Sequence, residues 1–286
     1  MYEKFYGLRA NPFALSPDPA YLYLGRTHRF ALTLLDYALQ QGSGFALVSG
    51  EVGSGKTTII QYLLGRVEQG LQIGLLTNVH VGMGLLLPWV MQSLGVRSQH
   101  SGPSELYDAF TDHLRREHQA GRRVVLIIDE AQNLSAEALE ELRVLSNVNI
   151  GRTLLLQTIL VGQPELRNTL KEERMRQFAQ RIAIDYHIAP LQLEETHAYI
   201  RHRLDVAGGD LDLFCAEACE LVHHKSGGVP RLINQICDTA LVYGFGDQCA
   251  SIGVQTVDQV VRDRTHGGLL PVSRIAAPRD TAMVVD

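Results

Sequence analysis

The stretch FALVSGEVGSGKTTII, residues 45–60, runs from apolar residues through glycines to a lysine and two threonines, then turns apolar again. Gly50, Gly55, Lys56 and Thr57 meet the spacing G-x-x-x-x-G-K-[ST]. Phe45 to Ser49 reads as a buried strand, and 57–64, apolar at 59, 60, 63 and 64, reads as a helix. Strand, glycine loop and helix in that order suit phosphate binding. The glycines let N–H groups converge, and the helix adds the positive end of its dipole. The expected cradle is Gly50, Glu51, Val52, Gly53, Ser54, Gly55, Lys56, Thr57 and Thr58. Within it Lys56 would reach the β and γ phosphates of ATP, and the Thr57 hydroxyl would hold Mg²⁺. A glycine-rich turn with a surface lysine is the competing reading, and the flanking strand and helix weigh against it.

Composition sets bounds on the rest of the chain. At 286 residues, with 45% apolar and 20% charged, it has the balance of a soluble globular protein of one large or two small domains. The N-terminal MYEKFYGLRANPF has no apolar signal core, and no apolar run approaches a membrane span. A cytoplasmic location is therefore expected. Cysteines 215, 219, 237 and 249 follow neither C-x-x-C pairing nor a zinc spacing and are expected to pack in the core. His223 and His224 beside Lys225 read as a solvated helix end, so nucleotide-bound Mg²⁺ is the one metal expected. The net charge of −5 lacks the broad positive field of a dedicated nucleic-acid binder. Two basic runs remain, Arg115, Arg116, Arg122 and Arg123, then Lys171, Arg174, Arg176 and Arg181, each read first as a solvated face.

After the phosphate loop, strands are expected at 71–78, 122–130, 153–162 and 181–188, with helices between them at 104–118 and 135–148. Ser135 is the expected N-cap of the second of these. Near-continuous apolar strands alternating with helices indicate an α/β parallel sheet covered on both faces. From Leu193 onward the strand pattern stops, and helices follow at 193–206, 212–225, 230–243 and 255–264. The expected division is an N-terminal arm and first helix (1–43), a nucleotide-binding core (44–190), a helical lid (191–265) and a mobile tail (266–286).

VVLIIDEAQNL ends a buried strand in Asp129 and Glu130. Where a phosphate loop lies upstream, the first carboxylate can position Mg²⁺ through its water shell. The second can polarise the water that attacks the γ-phosphate. Two carboxylates merely exposed at a strand end are the alternative.

With these motifs in place, the chain resembles the AAA+ ATPases and, within them, the ExeA-type family linked to bacterial general secretion, pilus and surface-polysaccharide export. The resemblance runs through FYGLRANPFALSPDPAYLYLG, GEVGSGKTT, LIIDEAQNLSAEALEELRVLSN, LVGQPELRNTL, QRIAIDYHIAPLQLEETHAYIRHRL and SGGVPRLINQICDTALVYG. It implies a P-loop NTPase sheet followed by a small all-helical lid. It also implies that Gln163 orients the attacking water, that Arg231 in GGVPR reports nucleotide state from the lid, and that Arg181 is an arginine finger reaching a neighbouring subunit. For both arginines an ordinary surface role stays open. NPFALSPDP either wraps the adenine with Phe13 packing nearby or is a plain structural arm. Longer members carry a membrane span and a peptidoglycan-binding region after the ATPase part. This chain ends in a short polar tail and looks more like the ATPases that accompany exosortase and exopolysaccharide genes.

The expected function is therefore an oligomeric AAA+ ATPase that uses Mg-ATP to drive a conformational or assembly step in an envelope secretion or polysaccharide export system. It would be cytoplasmic, with recruitment to the inner membrane by a protein partner. The alternatives are a DNA-associated ATPase of the transposition-regulator type and a nucleotide-dependent scaffold with little turnover.

Overall fold

A computed structural model describes residues 1–42, 44–66, 70–77, 84–97 and 102–267, which form two compact units. The first, Pro17–Ala189, carries the sheet. Its elements in chain order are α1 (Arg26–Gln41), β1 (Phe45–Gly50), α2 (Lys56–Leu64), β2 (Leu71–Leu76), α3 (Leu87–Ser93), α4 (Pro103–Gln119) and β3 (Arg123–Ile128). Then come α5 (Ala136–Leu145), the two-residue strands β4 (Asn149–Ile150) and β5 (Thr153–Leu154), β6 (Leu156–Gly162), α6 (Pro164–Leu170), α7 (Arg176–Ala179) and β7 (Ile182–Ile188). Five parallel strands lie in the order β2-β3-β6-β1-β7.

Strand periodicity explains why both faces are covered. Phe45, Leu47, Leu126, Ile128 and Leu160 pack with Val90, Phe110, Leu114, Leu139 and Leu142 from α3, α4 and α5. The alternate residues Ala46, Val48, Val125, Ile127 and Ile159 pack with Ala31, Leu35, Ile59 and Leu63 from α1 and α2. The expected strand at 153–162 is interrupted. Gly151, at φ 60°, turns the chain so that Thr153–Leu154 pairs back on Asn149–Ile150, and only Leu156–Gly162 enters the main sheet. Asn78, the last residue of the expected second strand, lies outside the described residues, as does the tail from 268 on. Ser135 caps α5 by accepting from the Ala138 N–H at 3.2 Å.

The second unit joins Met1–Ser16 to the chain from Pro190 onward. Its helices are α8 (Leu193–Val206), α9 (Ala216–Ser226), α10 (Pro230–Gly246) and α11 (Val254–Gly267). A reciprocal capping box between Gln192 and Glu195 starts α8. The expected division places residues 1–43 together; here Met1–Ser16 packs with the helices and α1 packs with the sheet. Side chains account for this grouping. Tyr2, Tyr6, Leu8 and Phe13 are buried, and Phe13 meets Phe214 edge-on at 5.8 Å. The Tyr2 hydroxyl donates to Asp238, and Asn11 donates to the same carboxylate at 3.1 Å. Arg203, itself buried, donates to the carbonyls of Pro12 and Ala14. NPF is thus a structural arm of the helical unit, and its phenylalanine is a core residue there.

Candidate nucleotide site

Register decides what meets at the carboxyl ends of the strands. Ser49 stands beside Gly162, and Ile128 beside Leu160, so β6 lies between the strand that feeds the glycine loop and the strand that ends in the carboxylates. The loop 50–55, the pair Asp129–Glu130 and Gln163 therefore come together at the carboxyl end of the sheet, where open parallel sheets bind ligands.

The loop has no room for larger residues at its bends. A Cβ on Gly50 would lie 2.6 Å from the Ser54 hydroxyl and 3.1 Å from the Ile188 carbonyl. Gly53 and Gly55 hold φ of 81° and 91°, which side-chain-bearing residues rarely adopt. Gly55 is the N-cap of α2 and supplies no side-chain cap, which leaves the helix start to bind an anion. His28 of α1, 3% exposed, holds the Ser54 carbonyl through Nε2 at 2.8 Å. The Lys56 ammonium donates to the carbonyls of Gly50 at 2.8 Å and Glu51 at 2.9 Å, bridging the two residues that open the loop. Burial pulls this ammonium below the usual lysine range, while the carboxylates of Glu130, Asp129, Glu51 and Glu165 oppose that shift. A buried ammonium held by two neutral carbonyls is suited to a polyanion, which would displace those contacts to the loop.

Thr57 donates to the buried Asp129 carboxylate at 2.7 Å, joining the helix after the loop to the end of β3. One hydroxyl and one carboxylate oxygen are the hard donors that Mg²⁺ takes. These residues fit the ion, which would neutralise phosphate charge. Glu130 adopts φ 55°, ψ 38°, a left-handed conformation uncommon for a non-glycine residue. Its carboxylate accepts from the side-chain amides of Gln163, at 3.2 Å, and Gln132.

Two further expected residues are each placed by their own element. Arg181 donates within its own chain to the Arg143 carbonyl at 3.0 Å, Ser146 Oγ at 3.2 Å and Asn147 Oδ1 at 2.6 Å, so it ties down the end of α5. Arg231 is exposed at the second residue of α10 in the helical unit. Several arginines of the two basic runs are paired in the same way: Arg115 with Asp112, Arg122 with Glu117 and Arg174 with Glu172.

Sequence reading missed a network beside the loop. Arg167 of α6 donates to Ser49 Oγ at 3.1 Å and to Asp185 at 2.7 Å, and Ser49 also meets His187 Nδ1 at 3.1 Å. These four residues fix the end of β1 where the glycine loop departs. Their contact depends on β1 and β7 being neighbours, which no local motif states.

Residues 39–170 match an AAA domain. The chain carries an AAA domain. Over 246 residues it is 42% identical to general secretion pathway protein A of Aeromonas hydrophila, an alignment that covers 86% of this chain and 45% of that protein. The chain thus spans about half the length of that relative. Among solved structures, ORC2 of Aeropyrum pernix with ADPNP and ADP superposes with a TM-score of 0.65 at 18% identity, covering 88% of this chain and 71% of that one. Cdc6p of Pyrobaculum aerophilum gives 0.63 at 15% identity, with 90% and 72% covered. RuvB of Thermotoga maritima gives 0.52 at 16% identity, with 83% and 69% covered. These likenesses establish the AAA fold. Among the described residues, no helix is long and apolar enough to cross a membrane.

Proposed function

We propose that this AAA ATPase uses Mg-ATP to drive a conformational or assembly step in a bacterial envelope secretion or polysaccharide export system, acting as an oligomer with a protein partner. The likeness to general secretion pathway protein A over most of the chain carries the pathway. The chemistry rests on the convergence of Lys56, Asp129, Glu130 and Gln163 at the carboxyl end of the sheet.

In the reaction, the N–H groups of 50–58 and Lys56 hold the phosphates; Thr57 would hold Mg²⁺ directly and Asp129 would hold it through its water shell, and the ion would neutralise phosphate charge. Glu130 accepts a proton from water as the water oxygen bonds to the γ-phosphorus, and the bond to the bridging oxygen breaks to release ADP. Gln163 orients that water. The lid Arg231 reads nucleotide state, and Arg181 acts as a finger on a neighbouring copy, where a cation offsets transition-state charge.

Lys56→Ala should abolish nucleotide binding or weaken it severely, because the main point charge on the phosphates is lost. Glu130→Gln should bind normally and turn over about a hundredfold more slowly or worse. Fluorescent-nucleotide titration and phosphate release separate the two, and a Glu130→Gln protein at the wild-type rate would remove Glu130 as base. For the pathway, Lys56→Ala placed at the native locus should lower export of secreted protein or surface polysaccharide. Unchanged export, with tight, strongly salt-dependent and ATP-linked DNA binding by anisotropy, would favour the DNA-associated ATPase instead.

A further inference from the structure

Gln132 lies two residues beyond Glu130, on the short turn Ala131–Asn133 that follows β3. Its side-chain amide is used at both ends. The nitrogen donates to Glu130 Oε2, and the carbonyl oxygen accepts from the backbone N–H of Gln163 at 3.0 Å. Gln163 completes the ring, since its own side-chain amide donates to the same Glu130 Oε2 at 3.2 Å. The approach is close: a Cβ on Gly162 would lie 3.1 Å from Gln132 Oε1 and 3.3 Å from the Gln132 backbone nitrogen, so glycine at 162 leaves room for this residue. Beyond the ring, the Glu130 N–H donates to Asp129 Oδ1 at 2.9 Å, and Thr57 donates to Asp129 Oδ2. Hydrogen bonds thus run without a break from the helix after the glycine loop to the start of α6.

We infer that Gln132 is a positioning residue for hydrolysis, holding the Glu130 carboxylate and Gln163 in one geometry so that both address the same water. The inference rests on the proposed role of Glu130. Geometry supplies the reason. Glu130 stands on a left-handed backbone that its own residue type disfavours, so its direction must be set by contacts, and Gln132 provides a contact on each partner. The amide donates to the carboxylate through its nitrogen and accepts from the N–H through its oxygen, so one side chain holds both partners. A hydrocarbon of the same length does neither, and a carboxylate retains the acceptor but loses the donor and repels Glu130.

The test compares wild type, Gln132→Met, Glu130→Gln and the double variant by single-turnover ATP hydrolysis, with nucleotide affinity and thermal midpoint measured for each. Gln132→Met nearly preserves volume. It should lower kcat about ten- to a hundredfold, as expected for a misdirected catalytic group, while nucleotide affinity and midpoint stay near wild type. In the Glu130→Gln background the same change should cost less than about twofold, because without the base the mutual alignment of Glu130 and Gln163 no longer sets the rate. Wild-type kcat in Gln132→Met beside an impaired Glu130→Gln would overturn the inference alone. An equal loss in both backgrounds would make Gln132 act independently of Glu130 and overturn it too. A Glu130→Gln protein at the wild-type rate would remove the base assignment, and this inference with it.

Discussion

At the residue scale, the same chemical group takes opposite roles according to what surrounds it. Lys56 and Arg203 are both buried cations, yet Lys56 donates to two loop carbonyls that a phosphate could replace, whereas Arg203 is committed to two backbone carbonyls of the N-terminal arm. Arg203→Met should therefore destabilise the helical unit by about 2–4 kcal/mol, since it leaves carbonyls without donors. Denaturant titration measures this, and nucleotide affinity should not follow it. Cysteine offers a second case. Burial pushes the Cys219 thiol up to about 12, and that of the fully buried Cys237 well above its ordinary value. At pH 8 neither yields appreciable thiolate, so both should resist iodoacetamide in the native protein and react after denaturation. Rapid native alkylation at either position, located by mass spectrometry, would contradict their place in the core.

Among the elements, the junctions carry the constraints. Gly228 follows α9 at φ 74°, and a Cβ there would lie 2.0 Å from the Leu191 carbonyl oxygen, which belongs to the segment leading into α8. Gly228→Ala must strain the backbone and push that segment away. It should lower stability by more than about 2 kcal/mol, read from the thermal or denaturant midpoint. An unchanged midpoint would mean that the approach of Leu191 to this turn is loose. Phe13 makes the parallel point for the arm: Phe13→Ala should cost about 3–5 kcal/mol through the cavity it leaves against Phe214, with little effect on nucleotide affinity.

Across the whole molecule, assembly is the open question that Arg181 can answer. Its guanidinium already caps the end of α5 within its own chain, so a finger role requires it to serve a second copy as well. If it does, wild-type activity per subunit should rise with protein concentration. Arg181→Ala should bind ATP yet lose about a thousandfold in turnover. Mixing it with Lys56→Ala should restore part of the activity, because an intact pocket on one mutant would meet an intact finger on the other. Concentration-independent activity and no rescue, at concentrations where light scattering shows mixed oligomers, would leave Arg181 as a structural arginine.

What the sequence determined by itself was whatever is local in the chain. The glycine loop, the buried strands, the carboxylates ending β3 and the helical character after Leu193 all follow from spacing and periodicity over fewer than about twenty residues. The tertiary structure alone decided which of these pieces meet. Placing β6 between β3 and β1 brings Gln163 to Glu130, and the β1–β7 pairing joins Ser49 to His187. Gln132 is visible in DEAQ, but its role depends on the left-handed turn at Glu130 and on the N–H of a residue thirty-one positions away. The arm of residues 1–16 reads as a leader to the first helix until Arg203 and Phe214, about two hundred residues later, enclose it. Hydrogen bonds and packing between distant segments depend on strand order and register, which a short window of sequence does not encode.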